Sequence, residues 1–254
     1  MSTARIAWGI AGRSLRLIPR LPSTFVPSLV MPVVFVIVFS GGFAGLAELP
    51  RFPASNMVDW FLPMATLMGA GFAGITTGMG VARDLEIGFY DRFLASPAPR
   101  ASLLMGAFTA AALRALLPLT LTLLVGVAMG ASFADGPLAV AALAVAAVGI
   151  ALVSSAWSVG IALRFKTLQA APLMQVAFFL AMFLATAQMP LDLLTGWLRE
   201  VAGINPMTQV LQLARQGFLG QVAWSTTWPG LATLGGALVA LWAFAARSLH
   251  RVIP

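Results

Sequence analysis

The chain has 254 residues, of which 60% are hydrophobic and only 9% are charged. A soluble globular domain has about 25% charged residues, so this composition excludes an ordinary soluble protein and predicts an all-α integral membrane protein. The net charge is +7, but the arginines are scattered among apolar stretches, so the charge does not indicate a nucleic-acid partner. The absence of cysteine excludes a disulfide framework and a thiolate metal site.

Residues 1–24 predict an amphipathic helix that lies on a membrane surface. Read at 3.6 residues per turn, Arg5, Arg13, Arg16 and Arg20 fall within an arc of about 80°, and apolar residues lie beside them. Such a helix would place its arginines among lipid headgroups. The alternative is a basic tail that only fixes the orientation of the first span.

The rest of the chain, residues 25–254, predicts one domain of six transmembrane helices. Six long stretches contain no charged residue except Arg114 in the third. Each is long enough to cross about 30 Å of hydrocarbon as a helix. The predicted spans are residues 21–47, 60–82, 101–134, 136–163, 167–191 and 216–246.

Glycines four residues apart predict close helix contacts. The pairs are Gly41 and Gly45, Gly74 and Gly78, and Gly126 and Gly130. We expect these pairs to pack within one subunit, and a contact between two subunits is the alternative.

The loop charges predict the orientation. With the N-terminus inside, 11 arginines and lysines lie on the inner side and only Arg51, Arg199 and Arg215 on the outer side. Positive loops remain in the cytoplasm. We therefore expect a multi-pass protein with both termini in the cytoplasm. The excess of arginine over lysine, with abundant alanine and glycine, indicates a GC-rich bacterial genome and hence the bacterial cytoplasmic membrane.

The charged segment between the second and third spans, residues 83–100, predicts a short cytoplasmic helix. Leu85, Phe89 and Phe93 recur at four-residue spacing and would form one apolar stripe. Such a stripe can dock into a groove on a partner protein. The alternative is a loop that only sets the topology.

Several kinds of chemistry are missing from the sequence. The single lysine, Lys166, has no glycine-rich loop before it, so the chain lacks a P-loop and we expect no enzyme activity and no cofactor in this chain. The single histidine, His250, offers no catalytic pair or metal site. The acidic residues lie outside the apolar cores, which disfavours an ion-coupled carrier. We expect Arg114 to extend to the inner interface or to pair with a carbonyl group, and contact with an anionic substrate or lipid phosphate is the alternative.

The order of elements resembles the ABC-2 type permeases, the membrane subunits of ATP-binding-cassette exporters, and it is most similar to the daunorubicin-resistance permease branch. That family has an acidic residue shortly before a Gly-x-x-acidic-Arg-Leu-Leu pattern between the second and third spans, followed by proline and a basic residue. Phe89 stands where the family often has threonine, and Phe93 stands where it has the first leucine. The second match, INPMTQVLQLAR at residues 204–215, lies in an external segment, 191–228, that we expect to be helical or re-entrant. The matching positions in the first pattern are Glu86, Gly88, Asp91, Arg92, Phe93, Leu94, Pro97 and Arg100.

The resemblance implies an exporter of a drug, an antibiotic or a lipid-like molecule. ATP and Mg would be bound by a separate ATPase subunit, and the permease would pair with a second copy or a homologue within the lipid membrane. A scaffold or regulatory membrane protein and an ion-coupled secondary carrier are the alternatives. The residues expected to couple to the ATPase are Asp84, Glu86, Gly88, Phe89, Asp91, Arg92, Phe93 and Leu94.

The resemblance also implies a substrate path, because the second and fifth spans of related exporters face the axis of the dimer. Two mixed helical faces occur in these spans here, and methionine and phenylalanine suit varied apolar ligands. Ordinary helix packing is the alternative. The expected path residues are Phe72, Thr76 and Met79 in the second span and Gln175, Phe179, Met182 and Thr186 in the fifth.

Overall fold

A computed structural model describes residues 3–16, 22–50, 52–88 and 101–252 of the chain. Within these ranges the secondary structure is helical and contains no strand. The α-helices are α1 (Thr3–Arg16), α2 (Pro22–Gly42), α3 (Met57–Glu86), α4 (Ala101–Ala128), α5 (Pro137–Phe165), α6 (Ala171–Phe183), α7 (Gly196–Ile204), α8 (Pro206–Arg215) and α9 (Trp224–Val252).

Four helices, α3, α4, α5 and α9, are long and apolar enough to cross a membrane. The predicted first span corresponds to α2, which has 21 residues. The predicted fifth span is not one continuous helix, because a 3₁₀ turn (Leu168–Ala170) precedes α6, and α6 ends after 13 residues. The predicted sixth span begins later than expected, at Trp224. The all-helical class is therefore confirmed, whereas the count of six spans remains a prediction.

Helix α3 lies at the centre of the fold and packs against α2, α4 and α5. Glycine makes its contact with α5 possible, since a methyl group on Gly74 would overlap the Ala151 carbonyl oxygen, and one on Gly78 would overlap Ser158. The Ser158 hydroxyl donates a hydrogen bond to the Gly74 carbonyl at 3.1 Å. The Gly74 and Gly78 pair thus packs within one subunit, as predicted.

Helix α1 packs along α4. Ala11 is buried, whereas Arg5, Trp8 and Arg16 are exposed. Residues 3–16 thus form a helix with a polar side, as the arginine spacing predicts, while Arg20 lies outside the described residues. The position of α1 at a membrane surface remains a prediction.

The predicted segment 83–100 is described only as far as Gly88. Asp84 and Glu86 belong to the last turn of α3, and the chain then turns at Gly88, whose φ of +69° favours glycine. Leu85 packs against the core of this chain. Phe89, Asp91, Arg92, Phe93 and Leu94, five of the predicted coupling residues, lie outside the described residues.

Candidate functional site

Two carboxylates in the last turn of α3 bind other parts of the chain. The first, Asp84, forms a bidentate ion pair with Arg13 of α1, with N–O distances of 2.9 and 3.0 Å. Paired parallel hydrogen bonds of this kind fix the orientation of both side chains. Asp84 therefore joins the end of α3 to α1.

The second carboxylate, Glu86, contacts the chain just before α6. Its Oε1 atom accepts a hydrogen bond from the Thr167 hydroxyl at 2.9 Å and another from the Leu168 backbone N–H at 2.7 Å. The Thr167 Oγ1 atom in turn accepts from the Gln169 N–H at 3.2 Å. A carboxylate is favoured here because the N–H groups at a helix start are unsatisfied and carry partial positive charge. We call Glu86, Thr167 and Leu168 the Glu86 junction.

The predicted path residues of α3 and α6 come together at one point. The rings of Phe72 and Phe179 meet edge to face, with their centroids 5.3 Å apart. Both rings are partly exposed, as are Met79 and Gln175. Thr76 is buried, and its hydroxyl donates to the Ala73 carbonyl at 3.0 Å.

The two remaining path residues face the interior of the chain. Met182 is fully buried, and Thr186 is 3% exposed. The Thr186 N–H donates to the Thr208 hydroxyl at 3.4 Å, and its own hydroxyl oxygen has no hydrogen-bond partner among the described residues. In this chain, the partly exposed part of the predicted path consists of Phe72, Met79, Gln175 and Phe179.

Arg215, at the end of α8, is buried beside the turn that follows α6. Its three nitrogens donate to the carbonyls of Trp60, Thr186 and Ala187 at 3.0, 2.6 and 2.6 Å. The guanidinium also lies 3.7 Å from the centroid of the Trp60 ring, a cation–π geometry. Burial lowers the pKa of Arg215.

The distribution of loop charges predicts Arg215 in an outer loop and gives no sign of this buried site. Its one sequence signal is the matched segment 204–215, which Arg215 terminates. We call Arg215 with the carbonyls of Trp60, Thr186 and Ala187 the Arg215 site.

The first turn of α3 binds the loop between α4 and α5, and this contact was also missed. Asp59, 2% exposed, accepts from the Ser132 N–H at 2.9 Å and from the Ser132 hydroxyl at 2.7 Å. Asn56 caps α3 by accepting from the Val58 N–H, and it donates to the Gly130 carbonyl at 2.8 Å. Ser132 therefore satisfies the buried carboxylate of Asp59 with two hydrogen bonds.

No cluster of acidic or histidine side chains in the described ranges could hold a metal ion.

Arg114 is 5% exposed in α4 and donates to the Thr77 hydroxyl of α3 at 3.2 Å. The burial of Arg114 differs from the predicted extension to the interface, and its pairing with a carbonyl group stays a prediction. Elsewhere, an open apolar groove of about 510 Å³ lies between α4 and α5, lined from Leu119 to Val127 and from Phe133 to Val140. None of the predicted path residues lines this groove.

Comparison with known proteins identifies similar chains. The sequence profile of the family described as ABC-2 type transporter matches residues 7–219. The chain is 24% identical over 213 residues to "Putative transport permease ycf38" of Pyropia yezoensis, covering 82% of this chain and 72% of that one. It is 22% identical over 216 residues to "Daunorubicin resistance ABC transporter permease protein DrrB1" of Streptomyces coeruleorubidus, covering 80% of this chain and 71% of that one.

Proposed function

Because the chain belongs to the ABC-2 type transporter family, we propose that it is the permease subunit of an ATP-driven exporter. It moves a hydrophobic or amphiphilic molecule, such as a drug, an antibiotic or a lipid-like compound, out of the cytoplasm or the inner leaflet. The observation that carries the proposal is the family match over residues 7–219, which begins within α1 and extends past the end of α8. The name of the Streptomyces relative supports export of a drug.

In this proposal, α2 and the apolar stretch 167–191, which contains α6, complete six spans with the four longer helices, and both termini lie in the cytoplasm of a bacterial cell. The distribution of arginines and lysines supports this orientation. Asp84 and Glu86 then lie at the cytoplasmic end, and residues 191–228 at the external end. A second copy or a homologue completes the pathway in the same membrane.

A separate ATPase subunit binds ATP and Mg and acts on residues 83–100. The position of this segment supports the assignment, since it begins within the last turn of α3, the central helix of the fold. A displacement of the segment would therefore act on the helix that packs against α2, α4 and α5. Asp84 and Glu86 would pass the same displacement to α1 and to the start of α6.

The test is ATP-dependent transport by the chain together with the ATPase that co-purifies with it. Both proteins are reconstituted in inverted membrane vesicles, with daunorubicin as the probe. We expect accumulation that needs ATP and stops when the catalytic carboxylate of the ATPase is replaced by an amide. Accumulation driven by a proton gradient without ATP would identify an ion-coupled carrier. If no ATPase is recovered with the purified chain, the result would indicate a scaffold protein.

A further inference from the structure

We propose that Glu86 is a positioning residue that makes the start of α6 follow the coupling segment 83–100. This inference rests on the proposed function, because it assigns a path for the motion that the ATPase produces. The juxtaposition that carries it is the Glu86 junction, in which one carboxylate oxygen at the end of α3 accepts two hydrogen bonds from the turn that leads into α6.

The geometry of the junction depends on the reach of the side chain. Both donors, the Thr167 hydroxyl and the Leu168 N–H, bind the same atom, Oε1. A glutamine has an amide oxygen at the same position and can accept both bonds without a charge. An aspartate keeps the charge but is one methylene shorter, so it cannot reach both donors. This difference separates a hydrogen-bonding role from a purely electrostatic one.

Helix α6 contacts the rest of the chain at its two ends and also in its middle, where the rings of Phe178 and Phe179 meet Phe72 of α3. It has only three buried residues, Met174, Phe178 and Met182, within its described length. At its start it is bound by Glu86, and beyond its end the carbonyls of Thr186 and Ala187 are bound by Arg215.

Both of these contacts involve α3, since the Arg215 guanidinium also binds the Trp60 carbonyl. Trp60 and Glu86 are about 39 Å apart along α3 at 1.5 Å per residue. Helix α6 is therefore connected to α3 at both ends of α3 and at Phe72, and of these connections only Glu86 lies within the coupling segment. Movement of that segment acts directly on the start of α6 through Glu86.

The experiment measures ATP hydrolysis by the reconstituted complex of permease and ATPase, minus hydrolysis by the ATPase alone. This permease-dependent rate needs no knowledge of the transported molecule. We expect Glu86→Ala and Glu86→Asp to lower it by about fivefold, which corresponds to about 1 kcal/mol at 1.4 kcal/mol per tenfold. We expect Glu86→Gln to keep at least half of the wild-type rate, and Thr167→Val, which removes one of the two donors, to give an intermediate rate.

Gln169→Ala is the matched control, because it changes an exposed side chain of the same turn. Co-purification of each variant with the ATPase, and its thermal unfolding in detergent, separate loss of coupling from loss of folding. A defect in Glu86→Gln with a normal Glu86→Asp would overturn the proposal and identify a charge contact with the ATPase. Wild-type rates for Glu86→Ala would also overturn it. Failure of the proposed function is distinct, since the wild-type chain itself would then show no permease-dependent hydrolysis.

Discussion

Replacing Arg215 with methionine removes three hydrogen-bond donors and a cation from a buried site that joins α3, α8 and the turn after α6. Methionine fills a similar volume and packs against Trp60, so the substitution tests the polar contacts rather than the packing. The carbonyls of Thr186 and Ala187 would lose donors that now lie at 2.6 Å. We therefore expect the turn after α6 to loosen.

The magnitude follows from these contacts. A hydrogen bond to a charged group contributes about 1.5–3 kcal/mol, so the two turn carbonyls together account for about 3–6 kcal/mol. Release of the guanidinium from its desolvated position offsets part of this, because burial of an ion is itself unfavourable. We expect Arg215→Met to lower the free energy of unfolding by about 3 kcal/mol, and the Tm by about 6–12 °C for a chain of this size.

The assay is thermal unfolding of the purified permease in detergent, followed by tryptophan fluorescence. Arg215→Lys should give a smaller loss, about 2 kcal/mol, because an ammonium group lacks the planar fork that reaches several carbonyls. Arg199→Met, at an exposed position of α7, is the control and should unfold like the wild type. The reasoning fails if Arg215→Met unfolds within about 2 °C of the wild type, a change equivalent to less than about 1 kcal/mol.

Three further predictions concern the membrane topology, the coupling segment and the substrate path. The first is practical because the chain contains no cysteine of its own. Cysteines introduced at Ser2 and Thr195 should react with an impermeant maleimide from opposite faces of intact vesicles, because the arginine distribution places them on opposite sides; labelling of both from outside would reverse the orientation. Replacing Phe89 and Phe93 together with alanine should release the ATPase on purification, since buried aromatics dominate helix-in-groove contacts; unchanged co-purification would reduce the segment to a loop. Phe179→Trp should slow ATP-dependent daunorubicin transport while the ATPase stays bound, because it enlarges a partly exposed ring; transport at the wild-type rate would exclude this face from the path.

The apolar spans were predictable because length and hydropathy are local properties of the sequence. Helices α3, α4 and α5 lie within a few residues of the predicted stretches, since a run of apolar residues without charge has one stable conformation in hydrocarbon. The arginine periodicity likewise predicted α1. The length of α6 was not predictable in this way, because the apolar run continues beyond Phe183 after the helix has ended.

The contacts at the ends of the spans required the tertiary structure. Glu86 and Thr167 are 81 residues apart, and Arg215 and Thr186 are 29 residues apart. The sequence supplied these residues, and family resemblance singled out Glu86, but neither indicated their partners within the chain. Periodicity describes which face of one helix is apolar. The partners of a polar side chain depend on how two helices are placed relative to each other, and the packing of α3 with its neighbours fixes that placement.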